Sequence, residues 1–136
     1  MIAIIDYDAG NIKSVEKAFQ ALGEDIVITR DREIILKADG VVLPGVGAFG
    51  DAMAKLKEYQ LVDTIYEVVN KKTPFLGICL GLQLMFESSE ESPGVEGLGI
   101  LKGKIVSADS RLKCIVSKLE DFEGDAYALY QKSQNN

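Results

Sequence analysis

The stretch TPFLGICLGLQLMFESSEE, Thr73 to Glu91, carries one cysteine, Cys79, framed by Gly77 and Gly81. A G-x-C-x-G run between an apolar strand and a helical pattern has the mechanics of a nucleophile elbow. The nucleophile rides on a sharp turn, and the glycines two residues away on each side are needed because a Cβ there would collide with neighbouring backbone. The helix opening near Leu80 directs its first N–H groups toward the thiol, and the Leu80 N–H is placed to bind an oxyanion. The plainer reading is a small core cysteine in a buried strand with two incidental glycines. The chain contains no histidine, the usual partner that lets a cysteine act as a nucleophile.

A second cluster, LPGVGAFGDAM from Leu43 to Met53, formally contains G-x-G-x-x-G as Gly45, Gly47 and Gly50. A dinucleotide fingerprint should open the first strand–helix unit and be followed by a strand that ends in an acidic residue. Here Pro44 precedes the cluster and the next strand ends in the cysteine elbow, so nucleotide binding is discounted. No Lys and Ser/Thr pair follows the last glycine, which removes a phosphate loop of the Walker type. Two readings remain. The loop either offers backbone N–H groups to an oxyanion beside Cys79 or is a tight turn that needs φ > 0.

The elements that must position these residues are short apolar runs alternating with helical patterns. IAIIDY (2–7), DIVITR (25–30), GVVLPG (40–45) and PFLGICL (74–80) read as strands too apolar to alternate, as strands buried on both faces are. NIKSVEKAFQALG places Ile12, Val15, Ala18, Phe19 and Leu22 on one helix face and closes with Gly23. DAMAKLKEYQLVDTIYEVVNKK gives one or two helices with Met53, Leu56, Leu61, Ile65 and Val69 as the buried stripe. The alternation predicts a three-layer α/β fold with a doubly wound, mainly parallel sheet, whose ligands bind beyond the carboxyl ends of the strands. ESSEESPGVEGLG reads as a loop, and GILKGKIVSA as a further strand, in the manner of a hairpin arm. The tail from Asp109 fits an amphipathic helix through Ile115, Leu119, Phe122, Ala126 and Tyr130.

Composition narrows the function classes. The 136 residues suit one domain, and 47% apolar with 26% charged residues places it among soluble globular chains. A net charge of −6, from 21 acidic against 15 basic residues, disfavours a nucleic-acid partner held by phosphates. The start MIAIIDYDAG lacks the features of a signal peptide and no apolar run reaches spanning length, so a cytoplasmic protein without membrane contact is expected. Cys79 and Cys114 form no disulfide framework, and without C-x-x-C or histidine ligands no metal site is expected.

Taken together, DYDAGNIKSV, LPGVGAFGDAM and GICLGLQLMFESSEESPGVEGLG resemble, in order and spacing, the class I glutamine amidotransferases, and within them the glutaminase subunits of imidazole glycerol phosphate synthase in histidine biosynthesis. The resemblance covers about residues 1–106. It implies a flavodoxin-like amidotransferase fold with Cys79 as the nucleophile that attacks the glutamine side-chain amide. It implies the backbone amides of Gly47 and Leu80 as the oxyanion hole, with Gln83 and Glu91 holding the glutamine. It implies a heterodimer with a synthase (cyclase) subunit that receives ammonia, and no cofactor is expected; Asn11 and Lys13 are the exposed candidates on the rim that faces it, and a plain helix start with Asn11 near the cap explains them nearly as well. Gln83 also stands four residues after Cys79, one helical turn on and facing the same mouth, its plainer reading being a solvated helix residue; Glu91 reads equally as one charge of a solvated acidic loop.

Nothing after about Val106 matches the family pattern. The late H-x-E motif that supplies its His and Glu is absent, and the tail offers only carboxylates such as Glu120 and Glu123. The expectation is an incomplete amidotransferase domain over 1–106 with a divergent, helical tail over 107–136, hydrolysing glutamine poorly or not at all. The alternative is a non-catalytic module of the same fold that docks on a synthase. A flavodoxin-like cofactor domain fits the fold as well, but lacks the aromatic and phosphate-loop chemistry a flavin needs.

Overall fold

The computed structural model describes residues 1–106. The expectations for a tail helix, for Cys114 and for Glu120 and Glu123 fall outside the described residues. Four short strands, β1 (Ile2–Ile5), β2 (Ile26–Thr29), β3 (Gly40–Leu43) and β4 (Phe75–Gly77), form one parallel sheet in the order β2-β1-β3-β4. Ile4 pairs with Ile28 on one side and Val42 on the other, and Leu43 pairs with Gly77. The chain runs outward from β1 to β2 and then crosses back to β3, so the winding reverses between β1 and β3. Crevices at such a reversal, beyond the carboxyl ends of the strands, are where ligands bind.

Alternate residues of the strands serve two layers. Ile4 and Val42 pack with Val15 of α1 (Ile12–Ala21), whose Ile12 and Phe19 are partly buried on the same face. Ala3, Ile5, Val41 and Leu43 face the other way, toward α2 (Arg32–Lys37), α3 (Phe49–Glu58) and α4 (Leu61–Asn70). With helices over both faces, a strand gains nothing from alternating polarity, which is why the runs read as continuously apolar. The long helical pattern is two helices, parted at Gln60, which stands at φ 56°. Met53, Leu56, Leu61 and Ile65 are buried as expected and Val69 partly so.

Several local readings need correction. Ala18, within α1, is exposed, and Leu22 is 75% exposed, because α1 stops at Ala21 and Leu22 is its C-cap residue rather than a member of the helical stripe. The stop itself is the expected glycine one: Gly23 takes φ 78°, its N–H donates to the Gln20 carbonyl and the Glu24 N–H to that of Phe19. The helix α2 was not anticipated. Asp31 caps it by accepting from the N–H groups of Glu33 and Ile34 at 2.9 and 3.2 Å, and Ile35 is fully buried, contributing about 1.5–3 kcal/mol. Within the described part of the predicted strand near 99–108, only β6 (Lys104–Ile105) forms, and it is no hairpin arm. It pairs in parallel with β5 (Ser88–Ser89), joined by the bonds Glu87 N–H to Gly103 O at 3.0 Å and Glu90 N–H to Ile105 O at 2.9 Å.

The turn leaving β1 is fastened by an ionic cluster. Asp8 stands at φ 70°, accepts from the Tyr59 hydroxyl at 2.5 Å and from Arg30 at 3.3 Å, and lies 3.6 Å from the Lys55 ammonium. Arg30 also lies over the Tyr59 ring, 3.9 Å from its centre. The Tyr59 hydrogen bond first, then Arg30 and Lys55, hold the Asp8 carboxyl below its ordinary range. A carboxyl depressed in the folded state contributes stability above its unfolded pKa and loses it as pH falls through the folded value. Wild-type melting temperature should therefore fall more steeply than that of Asp8→Asn below about pH 4. Superimposable curves of melting temperature against pH would show that the cluster contributes nothing.

Candidate functional site

Three loops meet at the carboxyl edge of the sheet: 6–11 after β1, 44–48 after β3 and 78–79 after β4. Cys79 sits at φ 56°, ψ −124°, a region that side chains avoid, and its thiol is exposed and unbonded to any disulfide. The strain is held from both sides. The Ile78 N–H donates to the Leu43 carbonyl at 3.0 Å, extending the β3–β4 ladder by one bond, and the N–H groups of Leu82 and Gln83 donate to the Cys79 carbonyl at 3.0 and 3.3 Å. The helix α5 (Leu80–Leu84) starts immediately.

The flanking glycines are sterically demanded. A Cβ on Gly81 would come within 1.9 Å of the Leu43 carbonyl oxygen, and one on Gly77 within 2.7 Å of the Leu82 Cα. A Cβ on Gly45 would meet the Tyr7 hydroxyl at 2.5 Å and the Gly81 nitrogen at 2.7 Å. The elbow and the loop after β3 are thus in backbone contact, and this closeness excludes the reading of incidental glycines.

The oxyanion donors named from the sequence are placed unequally. The Leu80 N–H donates to the Gly45 carbonyl at 3.1 Å, so it is already engaged and receives an oxyanion only by exchanging that bond. Helix geometry alone makes this N–H look open; the neighbouring loop closes it. Gly47 stands exposed at φ 97°, and its N–H has no partner among the described residues. Gln83 is half-buried on α5, one turn beyond Cys79. Glu91 is exposed and lies after β5, its N–H donating to the Ser89 hydroxyl at 3.2 Å. Its loop reaches back to the site region, for the Ser92 hydroxyl accepts from the Gly50 N–H at 2.9 Å and so caps α3 from outside.

Sequence reading missed two residues that hold this edge together, Ser92 and Tyr7, and it named a third, Asn11, only as an exposed residue of the rim. The Tyr7 hydroxyl donates to the Pro44 carbonyl at 2.5 Å, and the Asn11 amide nitrogen donates to the Gly45 carbonyl at 3.3 Å. Asn11, expected exposed on the rim, is instead half-buried, with its side-chain oxygen buried and unpaired; Lys13 is exposed as expected. Among the described residues no group of His, Cys, Asp and Glu could hold a metal ion, and no helix is long and apolar enough to cross a membrane.

The family model for class I glutamine amidotransferases matches residues 3–134. The chain belongs to that family. Its match runs past Val106, further than the quoted motifs. The chain is 56% identical over 105 residues to imidazole glycerol phosphate synthase subunit HisH of Bacillus cereus strain G9842, covering 77% of this chain and 50% of that one. It is 52% identical over 109 residues to subunit HisH 1 of Methanococcus maripaludis, covering 78% and 54%. The chain therefore spans about half the length of the curated relatives it matches. A solved structure described as a glutamine amidotransferase superposes with a TM-score of 0.63 at 20% identity, over 74% of this chain and 53% of that one. That likeness establishes the fold, a class I amidotransferase α/β sandwich.

Proposed function

We propose that this chain carries the nucleophile half of a glutaminase that supplies ammonia to imidazole glycerol phosphate synthase in the cytoplasm. In this reading the Cys79 sulfur attacks the side-chain carbonyl of glutamine, the C–N bond breaks, and ammonia leaves with a proton from solvent or a partner group. A glutamyl thioester remains until water hydrolyses it to glutamate. Gly47, and Leu80 once its N–H is released from Gly45, bear the oxyanion; Gln83 and Glu91 hold the substrate. The synthase subunit receives the ammonia in a heterodimer. One observation carries the reading: the backbone strain at Cys79, clamped between two glycines that cannot bear a Cβ, in a chain about half identical to subunits named HisH.

The test uses a substrate that needs no acid catalyst, the γ-(4-nitrophenyl) ester of glutamate. Attack by the thiolate forms the thioester and expels nitrophenolate without protonating it. We expect one nitrophenolate per chain, a glutamyl adduct on Cys79 by mass spectrometry, and no burst from Cys79→Ala. The Leu80 N–H, engaged by the Gly45 carbonyl rather than open to an oxyanion, favours a second reading, a docking module that makes no ammonia. A chain that binds the synthase yet gives no burst would establish that second reading and remove the first.

A further inference from the structure

We propose that Tyr7 is a positioning residue for the oxyanion loop, setting through the Pro44 carbonyl the distance between the Gly45–Gly47 backbone and Cys79. The inference rests on the preceding reading that Cys79 is acylated through an oxyanion.

Tyr7 lies just past β1 and is 3% exposed, so its ring is part of the core. A phenyl ring alone would fill that space. The hydroxyl has a separate task, donating to the Pro44 carbonyl at 2.5 Å across 37 residues of sequence. Burial pushes this hydroxyl above its usual range, so it stays a donor at any working pH. The Pro44 carbonyl is also close to the elbow helix, since the missing Cβ of Gly81 would lie 2.9 Å from it. The space that a Gly45 Cβ would need is shared by the Tyr7 hydroxyl and the Gly81 nitrogen. Tyr7, the Pro44–Gly45 peptide and the start of the elbow helix thus crowd one another, and the Tyr7 hydroxyl holds the Pro44 carbonyl while the Leu80 N–H and Asn11 hold that of Gly45. Two residues on, Gly47 presents its N–H on the same short loop. A tilt released at Pro44 is carried along that loop, and small misplacements of donor groups cost rate steeply.

The test compares two electrophiles on Tyr7→Phe. The glutamyl nitrophenyl ester acylates Cys79 through an oxyanion. Iodoacetamide alkylates it by direct displacement of iodide, with no oxyanion formed. Loss of the hydroxyl should slow the ester burst about tenfold, with half-saturation little changed, and leave alkylation within about twofold of wild type. Tyr7→4-aminophenylalanine, which keeps a donor, should restore the burst. Tyr7→4-fluorophenylalanine fills the hydroxyl's place without a donor; it serves as the second variant should the phenylalanine chain not fold, and should be slow.

An unchanged burst in Tyr7→Phe would overturn the proposal, as would equal slowing of both electrophiles, or a 4-aminophenylalanine chain as slow as the phenylalanine one. A wild-type chain with no burst at all instead defeats the glutaminase reading, so the two failures are told apart.

Discussion

Gly81→Ala is expected to unfold the site and to lower the melting temperature by more than about 10 °C. The added methyl would sit 1.9 Å from the Leu43 carbonyl oxygen and 2.7 Å from the Leu43 carbonyl carbon, far inside any real contact. Neither partner can step aside. Leu43 is the last residue of β3, fully buried, and its carbonyl accepts the Ile78 N–H that carries the ladder into the elbow. Gly81 is itself inside α5, where the Leu80 N–H is tied to Gly45. Relief therefore requires the elbow helix to withdraw from the sheet, breaking both bonds and opening the contact of Leu80 and Leu84 with the main core. Overpacking against rigid backbone places the loss at about 3 kcal/mol or more. The comparison is Gly94→Ala, where φ is 81° and nothing lies within 4 Å of the added methyl; strain there costs about 1 kcal/mol. Thermal denaturation followed by circular dichroism checks both. A Gly81→Ala chain melting within about 3 °C of wild type would mean that the two loops are not in the contact described.

The order of strands and helices was legible because the strands are continuously apolar, the central β1 and β3 being buried on both faces, and each long helix carries a clear apolar stripe. The site's centre was legible for a related reason, since a cysteine between two glycines at a strand's end is a local pattern with a local steric cause. What escaped was either short or remote. The helix α2 has six residues, too few turns for periodicity to speak, and its best signal was the Asp31 cap before Glu33. Leu22 looked like the next member of the α1 stripe because helical spacing carries on past the point where Gly23 ends the helix. The bonds from Tyr7 to Pro44, Asn11 to Gly45 and Ser92 to Gly50 join residues 37, 34 and 42 apart. No local propensity encodes such pairs; they follow only once the sheet brings three loops to one edge. The engaged state of the Leu80 N–H is of this kind, because its acceptor belongs to the loop after β3.

Glutamine itself should not be turned over by this chain at a useful rate, even with a synthase subunit and its acceptor bound. The nucleophile can attack, and the nitrophenyl ester bypasses the first obstacle because its leaving group departs as an anion. The natural amide has no such exit. Collapse of its tetrahedral intermediate needs a proton delivered to the departing nitrogen, and deacylation needs a base that activates water. A positioned acid–base group supplies about 10²–10⁴-fold to each such step. The sequence holds no histidine, and an ordinary carboxylate, with a pKa near ~4, matches neither task at neutral pH. The ester should accordingly give a burst followed by a plateau, with the thioester persisting. Hydroxylamine, already nucleophilic without a base, should then attack the thioester carbonyl, release the Cys79 thiolate as γ-glutamyl hydroxamate forms, and convert the plateau into steady turnover. The expected acceleration is at least about 10²-fold over water, set by the missing base. Glutamate release from glutamine within tenfold of that of a full-length amidotransferase, lost in Cys79→Ala, would instead show that another group in the chain or its partner fills the acid–base role. A plateau that hydroxylamine leaves unmoved would place the block elsewhere, in a thioester sealed from solvent rather than one that lacks a base.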